Sequence, residues 1–94
     1  MPCGGIGFVE GAEKAMDGLN VGDRIELVRE KDNRYDANAV AVWAGVRIGY
    51  VPRKCNADLA AMMDEGRKLE ARVLSVDLGT AQPSMELALF MAQG

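Results

Sequence analysis

The stretch Arg24-Ile-Glu-Leu-Val-Arg-Glu-Lys-Asp-Asn-Arg-Tyr-Asp-Ala-Asn-Ala-Val-Ala-Val-Trp-Ala-Gly-Val-Arg-Ile-Gly-Tyr-Val51 decides the fold. Residues 24–29 alternate as a half-buried strand does, with Ile25 and Leu27 inward. The loop 30–36 that follows contains no aliphatic residue. Alternation resumes over 38–43, with Val40 and Val42 on one face. Ala44-Gly45 leaves room only for a tight connection, and 46–51 returns as the second arm of a hairpin. Pro52 ends that arm because it has no N–H to give to a ladder.

Outward from this hairpin, Asn56 reads as the N-cap of a helix running to about Glu65 and stopped by Gly66. Leu59, Met62 and Met63 fall at helical spacing and form its expected buried stripe. Residues 68–78 read as a long strand, 79–83 as a turn and 85–91 as a last strand. Upstream, 5–10 is a short strand and 12–19 a helical turn ended by Gly18 or by the turn at 20–22. Six mostly antiparallel strands with one or two short helices predict a mainly β domain, a small OB-like or SH3-like barrel occupying residues 1–94 as a single unit.

Composition narrows the chemistry. With 49% apolar and 27% charged residues the chain has the balance of an ordinary globular domain. No apolar run approaches the roughly 20 residues of a membrane span, and the N-terminus lacks the basic and apolar regions of a secretory leader. Cys3 and Cys55 read as free thiols, and the chain as cytoplasmic with no membrane partner. Histidine is absent, so there is no Ser-His or Cys-His pair, and two distant cysteines make no zinc site. Neither cofactor nor metal is expected. Between Arg24 and Lys54, seven cations meet four carboxylates in a chain of net charge −3, an arrangement that suits one anion-facing surface or an ordinary solvated face.

The run from Val21 to Val42 closely resembles the HIRAN domain signature, which reads Gly-Asp, an alternating strand, Arg-Glu, then Asn-x-Tyr-Asp-x-x-Ala-Val. Ile48-Gly-Tyr-Val-Pro-Arg53 is similar to the family's Gly-Tyr-x-Pro-Arg element, and 56–66 to its following helix, so the resemblance covers about residues 7–76. It implies an OB-like barrel of the kind found ahead of DNA-remodelling ATPases and as stand-alone or fused bacterial modules. It also implies a binding rather than catalytic role, with single-stranded DNA as ligand, a free 3′ end held in a pocket, and larger DNA-processing proteins as partners. By the resemblance, Tyr35 and Asp36 hold the terminal nucleotide within a motif that includes Asn33, Arg53 contacts phosphate, and Tyr50 lies where a histidine faces DNA in a eukaryotic member.

The residue types suit those roles. A tyrosine in a polar loop offers a base a stacking surface, an ionised aspartate accepts from a terminal hydroxyl, and an arginine grips phosphate through two N–H groups. Arg47, opposite in facing to Ile48, is a further backbone contact or a solvated arginine. The same residues also describe Asx-turns at Asn33 and Asp36 with Tyr35 capping the barrel, and burial of the Tyr50 ring. A DNA-stacking phenylalanine of the family maps to Phe90 or falls one residue away at Met91; Phe90 also reads as core. Phe8 is followed by Val9-Glu-Gly11, without the further aromatics usual there. Two other classes stand beside DNA binding. One is a metal-dependent nuclease using Glu30, Asp32 and Asp36, although Lys31 and Arg34 already neutralise that loop. The other is a protein-interaction barrel working through a strand edge or the methionine-rich helix.

Overall fold

The computed structural model describes residues 2–78 and 84–91; the turn expected at 79–83 lies outside them. In chain order the elements are β1 (Pro2–Cys3), β2 (Gly7–Phe8), α1 (Ala12–Met16), β3 (Arg24–Arg29), β4 (Val40–Trp43), β5 (Arg47–Tyr50), α2 (Arg53–Asp64), β6 (Leu69–Asp77) and β7 (Ser84–Met91). The strands form one antiparallel sheet in the order β1-β7-β6-β3-β4-β5-β2, curled into an OB-like half-barrel. The sequence predicts six strands; the two-residue β1, too short to show a periodicity, is the addition. Among the described residues no helix is long and apolar enough to cross a membrane.

The decisive stretch folds as its alternation requires. Ile25, Val40, Val42 and Ile48 are buried, and Met16, Leu59, Val73 and Leu87 close the core around them. Each such side chain contributes about 1.5–3 kcal/mol through removal from water. Gly45 takes a φ of 79°, the left-handed conformation that lets the hairpin turn, and a bulge beside Trp43 absorbs the register shift. Ala41 is fully buried as well, so β4 is covered on both faces, which simple alternation does not foretell. Gly49 marks a close approach: a Cβ there would sit 2.5 Å from the carbonyl oxygen of Gly7 on the paired β2.

Three expectations need correcting. The long helix starts at Arg53 with Pro52 as its N-cap, so Asn56 lies inside it rather than capping it. The stripe on its inner face is Leu59, Ala60 and Met63, with Met62 outside the core cluster. Cys55 is disulfide-bonded, not a free thiol.

Candidate nucleic-acid interface

Asn33 shapes the loop between β3 and β4. Its Oδ1 accepts from the backbone N–H of Tyr35 at 2.9 Å and of Asp36 at 3.0 Å, while its Nδ2 donates to Glu30 Oε1 at 3.1 Å. Asp36 repeats the device, its Oδ1 accepting from the N–H of Asn38 at 2.9 Å. The Asx-turns read from the sequence are therefore present. Tyr35 does not cap the barrel, however: the turns hold it outward with 86% of its surface exposed.

The loop is seated from below by two contacts, one from Asn56 and one from Arg29. Asn56, 3% exposed, donates from Nδ2 to Asp36 Oδ2 at 2.7 Å. Arg29, whose side chain is 13% exposed, donates to the carbonyls of Ala37 at 2.7 Å and Ala39 at 3.0 Å and pairs with Asp64 of α2 at 3.1 Å. The Arg29 hydrogen bond and charge, with help from Lys31, hold the Asp64 carboxyl below its ordinary range. The signal that finds Asn56 is Pro52: with the proline at the N-cap the helix begins four residues earlier than a cap at Asn56 would place it, and Asn56 falls in the first turn with its side chain buried.

Above this seat an open pocket of about 370 Å³ is lined by Asn33, Tyr35, Asp36, Ala39, Tyr50 and Val51. Four of the residues singled out in the sequence thus meet in one place, from two segments of chain. Asp36 stays ionised there. The Asn38 N–H lowers its pKa most; partial burial opposes this, and the Asn56 amide and the Arg53 and Arg29 charges lower it further. Arg53 and Asn56 both belong to the first turn of α2, where the helix favours a carboxylate. Tyr50 is half-buried, its hydroxyl donating to Glu30 Oε1 at 3.0 Å; burial and that carboxylate push the phenol's pKa up, so it remains neutral.

Two arginines flank the pocket. Arg53 Nε lies 3.8 Å from Asp36 Oδ2, and its Nη2 donates to the Tyr35 carbonyl at 3.4 Å. Arg47 stands over the Tyr50 ring, 5.5 Å from its centre, donates to the Tyr50 hydroxyl at 3.0 Å and lies 3.7 Å from Glu30. Glu30, read in the sequence as part of the Arg-Glu element of the signature and as a metal candidate, is the hub joining Asn33, Tyr50 and Arg47. Among the described residues no three side chains are grouped as metal ligands. Phe90 is not brought to the pocket. It lies on β7, opposite Glu70 of β6, and is 43% exposed rather than in the core.

Comparison with known proteins decides the family. Residues 3–88 match the family model of the HIRAN domain. The chain belongs to the HIRAN family. HIRAN domains are DNA-binding modules, not catalysts. Among solved structures, a Lactobacillus plantarum protein superposes with a TM-score of 0.79 at 28% identity, covering 97% of this chain and 95% of that one. The HIRAN domain of human HLTF superposes at 0.74 with 22% identity, covering 97% of this chain and 73% of that one, a likeness of fold. No curated protein matches the sequence. In HIRAN terms, the Asn-x-Tyr-Asp and Gly-Tyr-x-Pro-Arg segments of this chain are the two walls of one pocket.

Proposed function

We propose that this HIRAN domain captures the free 3′ end of single-stranded DNA in the pocket between Tyr35 and Tyr50. The observation that carries this reading is an exposed tyrosine at the mouth of a pocket whose inner carboxylate is ionised and flanked by arginines. Tyr35 stacks on the terminal base, and the Tyr50 ring forms the opposite wall. Asp36 accepts from the 3′-hydroxyl, a donor that an internal nucleotide does not have. Arg53, and Arg47 beyond the Tyr50 ring, take the adjacent phosphates. Asn33 acts by holding the loop, because its side-chain oxygen already serves two backbone N–H groups. Phe90 does not line the pocket and is left out of its function.

The same residues argue for binding without turnover: the pocket offers one committed carboxylate and no histidine. A DNA ligand also fits service within or beside larger DNA-processing proteins. The test is fluorescence anisotropy with 5′-labelled single strands and with duplexes whose ends are closed by hairpins. Single strands with open 3′ ends should bind, and Tyr35→Ala and Asp36→Ala should each abolish the preference over closed ends. Equal binding of open and closed ends refutes the assignment. Magnesium-dependent hydrolysis of ATP or DNA that disappears with Asp36→Ala refutes the binding-only role.

A further inference from the structure

Three depressions lie side by side on the domain surface, each sharing lining residues with the next. The tyrosine-mouthed pocket shares Asn33 with a hollow of about 350 Å³ that is also lined by Arg29, Glu30, Lys31 and Asp32. That hollow shares Arg29 and Lys31 with a cleft of about 470 Å³ where β3 meets the end of α2 and the start of β6. The cleft gathers Arg24, Arg29, Lys31, Arg67 and Lys68 against a single lining carboxylate, Asp64, over an apolar floor that includes Leu27 and Leu69.

Arg29 is committed to the loop carbonyls and Asp64, but the other four cations face solvent. The side chains of Arg24, Lys31 and Arg67 are 74%, 67% and 51% exposed. Their carboxylate neighbours are Glu70 at 4.0 Å, Asp64 at 3.6 Å and Glu65 at 3.1 Å. Exposed pairs of this kind are weak and screened by salt, so a polyanion displaces them readily. Lys68 is exposed and has no ion-pair partner among the described residues. In a chain of net charge −3 this surplus is local, and a groove lined by one sign of charge concentrates the opposite one.

We propose that the cleft carries the phosphate backbone of the same single strand, 5′ of its captured end. The proposal rests on the end-capture reading and extends it. The adjacency of the three depressions, which share Asn33, Lys31 and Arg29, gives the strand its route, and the cations give it its destination. Terminal-nucleotide recognition and backbone tracking are then separate, one near Tyr35 and the other near Lys31 and Lys68.

The experiment compares a trinucleotide with a strand of about twelve nucleotides, within the span an OB-type domain covers. Both carry the same 3′ end, free or phosphorylated, and affinity is read by anisotropy over a salt series. The wild type should bind the longer strand roughly tenfold tighter and with a steeper salt dependence. Lys31→Ala with Lys68→Ala should remove most of that gain and lower the salt slope by about 0.7 for each phosphate no longer neutralised, leaving the trinucleotide unchanged. Lys14→Glu, which alters net charge equally from α1, should leave the slope in place. Length-independent binding with the free-end preference intact overturns the track alone, as does a double variant that weakens both lengths equally. Equal binding of free and phosphorylated trinucleotides overturns end capture, and the track's polarity with it.

Discussion

Replacing Asn56 with alanine tests whether the binding loop is held by the helix beneath it. The carboxamide is 3% exposed and gives Asp36 a 2.7 Å hydrogen bond. Removing a side-chain hydrogen bond costs about 0.5–1.5 kcal/mol net. The space left by the amide adds about 1 kcal/mol if its neighbours do not close in. The sum, about 1.5–2.5 kcal/mol, corresponds to a fall in Tm of roughly 10 °C for a domain of this size. The pH dependence has a definite sign. Asp36 has a lowered pKa in the folded state, so its stabilisation is present above the ordinary carboxylate pKa and is lost as pH falls through the lowered value. Because the Asn56 amide is one cause of that lowering, wild type and Asn56→Ala should differ most at neutral pH and converge in acid. Asn56→Asp should be worse at neutral pH, with two carboxylates forced together, and should recover partly on acidification. Urea unfolding followed by circular dichroism between pH 3 and 7 measures all three proteins. A destabilisation below about 0.5 kcal/mol for Asn56→Ala, the low end of the hydrogen-bond range, or a deficit independent of pH, refutes the reasoning.

Tyr35→Ala should leave the urea midpoint unchanged, because the ring is 86% exposed, while weakening single-strand binding by about 1–3 kcal/mol in anisotropy titrations. Arg53→Ala should weaken all oligonucleotides alike and reduce the salt slope by about 0.7, the change expected when one phosphate of a single strand is no longer neutralised. Gly49→Ala should destabilise by about 1–3 kcal/mol in urea melts, because its Cβ meets the Gly7 carbonyl and the β2–β5 pair must part.

The parts of the fold legible in the sequence were those governed by local rules. Ile25, Val40, Val42 and Ile48 announce their strands by alternation, and Ala44-Gly45 announces the hairpin because only a tight turn fits there. The pocket walls at 33–36 and at Tyr50 are legible through their resemblance to the HIRAN signature; by residue type alone Asn33, Tyr35 and Asp36 read equally as Asx-turns with a cap on the barrel, and Tyr50 as a buried ring. What escaped depends on tertiary partners. Asn56 carries two opposite signals, a good capping side chain and a place in the first turn after Pro52, and burial beneath Asp36 decides between them. Glu30 looks like one carboxylate among several until Tyr50 and Arg47, which are distant in sequence, converge on it. Phe90 is apolar enough for a core, yet its register opposite Glu70 places it on the outward face, where Leu89 takes the buried side.

The central claim is that a free 3′-hydroxyl, rather than single-stranded DNA in general, is the ligand of the Tyr35–Asp36–Tyr50 pocket. Its most direct test is the ratio of dissociation constants for two oligonucleotides identical except for a 3′-hydroxyl or a 3′-phosphate, measured on wild type and Asp36→Ala. The account predicts that wild type strongly prefers the hydroxyl, because the phosphate meets the Asp36 charge, and that Asp36→Ala erases the preference while keeping or improving affinity for the phosphorylated end. Equal dissociation constants on the wild type would contradict it.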